Sequence, residues 1–136
     1  MSERRFYFST RIDRSAEAAG LLEALESQGW QRTYVWSDKK LSSDRYGEIA
    51  KAELDGIRQA DVAVVLLPGG YGTHAEIGAA LALGKPIILH SPDYNTLNTP
   101  YPCVFHYHPL IKLIVSSVLD VDNLISLMNS MVENAQ

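Results

Sequence analysis

The chain has 136 residues, a net charge of −4, 46% hydrophobic residues and 21% charged residues, as expected of a globular protein with one core. The negative charge argues against general nucleic-acid binding. A single cysteine excludes an internal disulfide and a cysteine-rich zinc site. No apolar run reaches the roughly 20 residues that span a bilayer. We therefore predict one domain, residues 1–136, in the cytoplasm and without membrane or nucleic-acid partners.

The first half of the chain predicts two strands and two helices. Residues 5–10 are rich in aromatic β-formers and predict a first strand, which a polar loop follows. Residues 15–28 carry apolar side chains at helical spacing. Residues 31–36 alternate and predict a second strand. Residues 44–60 predict a second helix, with Glu53 near its buried side.

The most apolar segment, residues 61–67, predicts a strand at the centre of the sheet. Continuous rather than alternating apolarity is typical of a strand that is covered on both faces. A glycine-rich turn and a helix ending near Leu83 follow it. The turn brings backbone close to a ligand, and the start of the helix offers unpaired N–H groups to an anion.

The last third of the chain is less regular. Residues 85–90 predict a fourth strand, and residues 91–102 form a long loop that is either a lid, a subunit contact or neither. Residues 103–107 are interpreted as a fifth strand and residues 110–117 as an edge strand or a connector. Residues 120–134 predict the final helix.

Alternating strands and helices predict an α/β fold, specifically a flavodoxin-like (Rossmann-like) three-layer sandwich with a mostly parallel five-stranded sheet. Ligands of such sheets bind at the carboxyl ends of the strands, where the strand order switches. The loops after the first and third strands open at that edge. We therefore expect Tyr7, Ser9 and Arg11 to be neighbours of Glu76, which follows the glycine-rich turn.

The glycine-rich turn does not match two common nucleotide-binding motifs. It lacks the Gly-Lys-Ser/Thr ending of a P-loop, and its Gly-Gly-x-Gly spacing differs from the dinucleotide fingerprint. A purely structural interpretation competes with a ligand site here. Thr73 and Glu76 have the spacing of a capping box, in which the glutamate folds back onto the helix start.

Three motifs carry a resemblance to a known family: Asp61-Val62-Ala63-Val64-Val65, Glu76-Ile77-Gly78-x-Ala80 and Gly84-Lys85-Pro86. Together they resemble the nucleoside 2-deoxyribosyltransferases, a family that includes nucleotide N-glycosidases. The resemblance implies that Glu76 is the catalytic glutamate and Tyr7 the tyrosine of the first strand. It implies that Glu53, with Asp55 beside it, is the acidic residue that contacts the base. It further implies a homodimer or larger oligomer and a nucleoside or nucleotide substrate.

A second resemblance concerns the glycine-rich loop alone. Residues 68–76 are similar to the loop of lysine-decarboxylase-like phosphoribohydrolases, in which the glutamate is also catalytic. Both resemblances imply chemistry at an N-glycosidic bond. The positions expected to bind substrate or its 5′-phosphate are Ser9, Arg11, Gly69, Gly70, Tyr71, Gly72 and Thr73.

Breaking an N-glycosidic bond builds positive charge on the sugar, which a carboxylate stabilises or attacks. The helix N-terminus is expected to keep Glu76 ionised for this role. The leaving base needs a proton, and Glu53 or Asp55 is the candidate donor. Residues two apart on a helix do not share a face, so only one of them is expected to point into the site.

No metal and no cofactor are predicted. The histidines at 74, 90, 106 and 108 do not form a recognisable metal pattern, although His106 and His108 would share one face of a strand. Cys103 is interpreted as a packed thiol. Two alternatives to an enzyme are open: a nucleotide-binding module without turnover, and a structural domain in which Glu76 only caps its helix.

Overall fold

The computed structural model describes residues 4–11, 14–35 and 42–134. These residues form five strands and four helices, interspersed along the chain. In chain order they are β1 (Arg5–Thr10), α1 (Ser15–Ser27), β2 (Gln31–Arg32), α2 (Tyr46–Gln59), β3 (Val62–Leu66), α3 (Tyr71–Ala82), β4 (Ile87–Ser91), β5 (Ile111–Val115) and α4 (Val121–Asn134).

All five strands pair in parallel, in the order β2-β1-β3-β4-β5. The chain therefore moves outward from β1 to β2 and then returns to place β3 on the other side of β1. Ser9 pairs in register with Val65, and Thr10 with Leu66. This switch in strand order confirms the predicted Rossmann-like fold and makes the carboxyl ends of β1 and β3 neighbours.

Helices cover both faces of the sheet, which confirms the three-layer arrangement. Successive side chains of a strand point to opposite faces, and β1 follows this rule. Phe6 and Phe8 belong to the core cluster that includes residues of α1 and α4. Tyr7 belongs to the other cluster, with residues of α2 and α3. By the same alternation, Ser9 faces α2 and α3.

The structure corrects the end of the predicted sheet. Residues Val104–Tyr107 form a 3-10 helix rather than the fifth strand. The fifth strand is Ile111–Val115, in the segment interpreted as an edge strand or connector. Pro102 and Pro109 flank the aromatic segment, and proline interrupts the hydrogen bonding of a strand.

Two other boundaries differ from the prediction. The second strand is confined to Gln31–Arg32, and the predicted strand end at Trp36 lies outside the described residues. The second helix begins at Tyr46, after a short 3-10 segment at Ser43–Arg45. Among the helices that the structure describes, none combines the length and apolar composition needed to cross a membrane.

Candidate functional site

The Glu76 carboxyl lies in a cluster of polar groups between α2, α3 and β1. It is hydrogen-bonded to Ser9, Tyr7 and Glu53. Tyr7 and Ser9 are almost fully buried, at 2% and 5% exposure. In the structure, Tyr7 and Ser9 therefore lie close to Glu76, as predicted. Both side chains lie on the face of β1 that packs against the helix that carries Glu76.

The capping-box interpretation is wrong. Helix α3 begins at Tyr71 with Gly70 as its N-cap, and no side chain makes a capping hydrogen bond there. Thr73 is therefore the third residue of the helix, and Glu76 lies in its second turn rather than its first. The Thr73 hydroxyl lies 3.3 Å from the Ser9 hydroxyl. Thr73 thus contributes to the polar cluster, and the partners of the Glu76 carboxyl are Ser9, Tyr7 and Glu53.

Only one of the two acidic candidates on α2 reaches this cluster. Glu53 is half-buried and hydrogen-bonded to Glu76. Asp55 instead makes an ion pair with Arg58, at 2.7 Å between Arg58 Nη1 and Asp55 Oδ1. The expectation that residues two apart cannot both point inward agrees with this division.

Burial controls the protonation of the cluster. Desolvation raises the pKa of Glu76 to about 7, and it also raises the pKa of Glu53. The hydrogen bonds that Glu76 receives from Ser9 and Tyr7 act in the opposite direction and lower its pKa. This effect of burial opposes the one expected of the helix N-terminus, which was to keep Glu76 ionised.

Tyr7 itself remains a phenol throughout the physiological range. Burial is the main cause that raises its pKa, and the charges of Glu76 and Glu53 raise it further. A neutral hydroxyl is a hydrogen-bond donor to a carboxylate. The tyrosine of β1 therefore holds the Glu76 carboxylate without competing for its negative charge.

Two residues of the site were missed in the sequence. The ring of Tyr34 stacks on that of Tyr7, with centroids 6.5 Å apart, and burial raises its pKa, helped by Glu53 and Glu76. Gly56 lies against both tyrosines, because an added Cβ would be 2.9 Å from Tyr34 Cβ and 3.2 Å from Tyr7 Cδ1. Tyr34 follows the strand beside β1 and therefore lies at the same edge of the sheet. This position could have identified it as a candidate site residue.

The glycines of the turn do different jobs. Gly69 is required by close packing, because a Cβ there would lie 2.5 Å from Thr73 Cγ2. An added Cβ at Gly70 or Gly72 would meet nothing within 4 Å. Tyr71 is completely exposed. The predicted phosphate-binding segment thus borders open space at the start of α3.

The two arginines of the polar loop have different surroundings. Arg11 is exposed directly after β1. Arg14 is buried at 8% exposure. It donates a hydrogen bond to the Leu67 carbonyl oxygen and pairs with Glu17, at 2.6 Å between Nη2 and Oε2. Arg14 thereby anchors the chain where β3 leads into the glycine turn.

A second group of polar side chains lies near the turn and shares no residue with the Glu76 cluster. His74, Cys103 and His106 bring their ligand atoms within 4.8 Å of one another. A cavity of about 420 Å³ lies beside them, lined also by Leu67 and Gly69. Sequence reasoning missed this group because the 3-10 helix that carries His106 was assigned to a strand.

The family model described as nucleoside 2-deoxyribosyltransferase matches residues 6–134. A search of curated proteins gives no match.

Several solved structures share the fold. A CMP N-glycosidase of Clostridium botulinum is 22% identical, with a TM-score of 0.64 over 93% of this chain and 98% of that one. A conserved protein of Enterococcus faecalis is 20% identical, with a TM-score of 0.67 over 95% and 99%. A 2-deoxyribosyltransferase of Bacillus psychrosaccharolyticus is 18% identical, with a TM-score of 0.62 over 88% and 89%.

Proposed function

Because the chain belongs to the nucleoside 2-deoxyribosyltransferase family, we propose that Glu76 attacks the anomeric carbon of a nucleoside or nucleoside 5′-monophosphate. The observation that carries this proposal is the hydrogen-bonded cluster around the Glu76 carboxyl. The enzyme belongs to a family that acts at the N-glycosidic bond of nucleosides. The identity of the nucleophile and of the proton donor is our own assignment.

The reaction begins with Glu76 as a carboxylate and Glu53 as a carboxylic acid. A Glu76 oxygen forms a bond to the anomeric carbon while the bond from that carbon to the base nitrogen breaks. Glu53 gives its proton to the leaving base as this bond breaks. Water or a second base then attacks the same carbon, the bond to Glu76 breaks, and the proton of the attacking group passes to Glu53, which completes hydrolysis or transfer.

Tyr7 and Ser9 prepare Glu76 for this role. Their hydroxyls donate to the carboxyl and favour its ionised form. Both are buried in the sheet, so they fix the direction of the carboxylate without moving when the substrate binds. Fixed donors of this kind lower the cost of orienting a nucleophile.

The start of α3 is proposed to bind a 5′-phosphate. The first N–H groups of a helix have no partner within the helix, and here no side chain caps them. The open space at Gly70 and Gly72 admits an anion to these N–H groups. Ser9, Arg11 and Thr73 border the same end of the sheet and complete the proposed phosphate contacts.

A base-release assay tests the assignment. Purified protein is incubated with deoxynucleosides and with 5′-monophosphates, and free base is measured by chromatography. CMP is the first nucleotide to try, because a neighbour of the same fold is a CMP N-glycosidase. We expect base release by the natural chain and its loss in Glu76→Gln and Glu76→Ala. Glu133→Gln, an exposed position on α4, is the matched control.

The outcomes separate the three functions that the sequence left open. Base release that survives in both Glu76 variants would show that the nucleophile is misassigned. Thermal stabilisation by a nucleotide without base release would indicate a binding module, and neither effect would indicate a structural domain. The homo-oligomer and the cytoplasmic location also stay predictions, for sedimentation and cell fractionation to check.

A further inference from the structure

The group formed by His74, Cys103 and His106 has no part in the proposed reaction. His74 lies in the first turns of α3, and the other two belong to the connection between β4 and β5. His74 and Glu76 are two residues apart, so they do not share a face of the helix. The cavity beside this group is not lined by Glu76. A role for these side chains must therefore be found outside the Glu76 cluster.

The contacts of His74 show which ring nitrogen carries the hydrogen. Its Nδ1 lies 2.9 Å from the Gly70 carbonyl oxygen. A carbonyl only accepts hydrogen bonds, so Nδ1 carries the proton and the Nε2 lone pair is left available. A carbonyl on the far nitrogen is also the usual partner of a histidine that binds a metal. The Nε2 atom of His74 points at His106.

The second histidine presents the same nitrogen. The Nε2 atoms of His74 and His106 are 3.0 Å apart, while His106 is buried at 4% exposure. Its Nδ1 has no hydrogen-bond partner among the residues that the structure describes.

Cys103 supplies a third ligand of a suitable kind. It is a free thiol, and its Sγ lies within 4.8 Å of both imidazole nitrogens. Zinc binds nitrogen at about 2.0–2.1 Å and thiolate sulfur at about 2.3 Å. A tetrahedral site therefore needs nitrogen atoms about 3.3 Å apart, close to the separation of the two Nε2 atoms. Zinc binding would therefore bring the sulfur closer to the two nitrogen atoms than this 4.8 Å limit.

We propose that His74, Cys103 and His106 bind one Zn²⁺ ion with an open fourth position at the cavity. Two imidazoles and one thiolate form a ligand set that zinc accepts, and three protein ligands leave room for a water. The ion would join the start of α3 to the 3-10 helix of the β4–β5 connection. It would thereby add a second anchor to the glycine turn, besides the hydrogen bond from Arg14 to the Leu67 carbonyl oxygen.

The experiment uses untagged protein that has been stripped with a chelator. Zn²⁺ is titrated in competition with a chromophoric chelator, and Co²⁺ is added separately as a spectroscopic probe. We expect one ion per chain and a near-ultraviolet thiolate-to-cobalt band. The chain has one cysteine, so this band can only come from Cys103 and must vanish in Cys103→Ser.

Variants separate a built site from accidental binding. Loss of a direct ligand should weaken zinc binding at least as much as loss of an outer-shell partner, about 10- to 100-fold. His106→Ala and His74→Ala are expected to show such losses. His108→Gln, in the same segment, is the control and should bind as the natural chain does. Unchanged zinc affinity in Cys103→Ser and His106→Ala would overturn the proposal, as would no binding at micromolar zinc.

Discussion

Glu53 on α2 and Glu76 on α3 are joined by a hydrogen bond between their carboxyl groups. Ionised carboxylates only accept hydrogen bonds, so this contact requires one shared proton. Ser9 and Tyr7 donate to Glu76 and favour its ionised form. The contact itself raises the pKa of Glu76 and lowers that of Glu53, so in the resting pair the shared proton lies on Glu76. The proposed reaction therefore requires this proton to pass to Glu53, which makes Glu76 the nucleophile and Glu53 the acid.

Glu53→Gln should slow base release in a way that depends on the leaving base. General acids contribute about 10²- to 10⁴-fold, so we expect a loss of this size in kcat for a base that needs a proton. For a nucleoside analogue whose base leaves as a stable anion, the kcat of the variant should fall much less. The measurement is kcat for the two substrates, compared between the natural chain and the variant.

Glu48→Gln is the matched control for this comparison. Glu48 lies on the same helix, exposed and 3.8 Å from Arg45, and its replacement should leave both rates unchanged. Equal losses for the two substrates in Glu53→Gln would mean that this residue holds the base rather than protonating it.

Ser9→Ala and Tyr7→Phe should shift the pH profile of kcat to higher pH. Both hydroxyls lower the pKa of Glu76, and removing either makes the carboxylate harder to form. A hydrogen bond to a charged group is worth about 1.5–3 kcal/mol, so we expect the acidic limb to move by about one pH unit. Thr33→Ser, which keeps a hydroxyl outside the cluster, should leave the limb in place. An acidic limb unchanged in both variants would rule out the assigned donors.

Stability and activity should respond to pH in opposite directions. The folded chain keeps the Glu76 proton up to about pH 7, whereas the ordinary pKa is 4.5. Between these values the folded state binds more protons, so the free energy of unfolding falls as pH rises. This contribution is complete below the lower pKa and lost above the higher one. Activity, which needs the carboxylate, should rise over the same interval.

Urea unfolding of chelator-treated protein checks this pH dependence. The natural chain should lose roughly 1–3 kcal/mol more than Glu76→Gln as the pH crosses the interval. The free energies of unfolding of the two proteins are compared at each pH, because the other carboxyl groups titrate in both and cancel in the difference. A difference that stays constant with pH would show that Glu76 has an ordinary pKa in the folded chain.

Gly56→Ala should damage the site through packing. The new Cβ would overlap the side chain of Tyr34 and press on the ring of Tyr7, forcing α2 away from β1. Overpacking of this kind costs about 1–3 kcal/mol, and Glu53 moves with the helix. We expect a lower melting temperature and a lower kcat.

Gly47→Ala provides the comparison for Gly56→Ala. It lies on the same helix, and a Cβ at Gly47 meets nothing within 4 Å. Alanine is favoured over glycine in helices, so neither stability nor activity should fall. Similar melting temperatures for the two variants would contradict close packing at Gly56.

Much of this arrangement follows from local sequence patterns. The apolar run of β3 and the aromatic β1 specify buried parallel strands, and alternation along β1 then sends Tyr7 and Ser9 to the side of Glu76. The approach of Glu53 also follows, since its face of α2 is the buried one. These inferences succeed because they depend on backbone periodicity, which is a local property.

Other features depend on contacts that no local pattern encodes. The second strand ends at Arg32, so the alternation of residues 31–36 in the sequence does not orient the ring of Tyr34. The raised pKa of Glu76 results from burial, which depends on several distant segments. The sequence shows only the nearby start of the helix, which acts on the pKa in the opposite direction. His74 and His106 meet only because the β4–β5 connection returns to α3 as a 3-10 helix.

The position of β1 between β2 and β3 also has a consequence for the chain during its synthesis. On the ribosome, β1 emerges before β2 and β3, and β2 can cover only one of its edges. The other edge of β1 stays unpaired until β3, which ends at Leu66, has been made. The Phe6-Tyr7-Phe8 run stays uncovered for the same time. Until then the nascent chain presents an apolar strand with unpaired backbone groups, a template for association with other chains. The strand that carries Tyr7 and Ser9 thus needs protection from other chains before folding is complete.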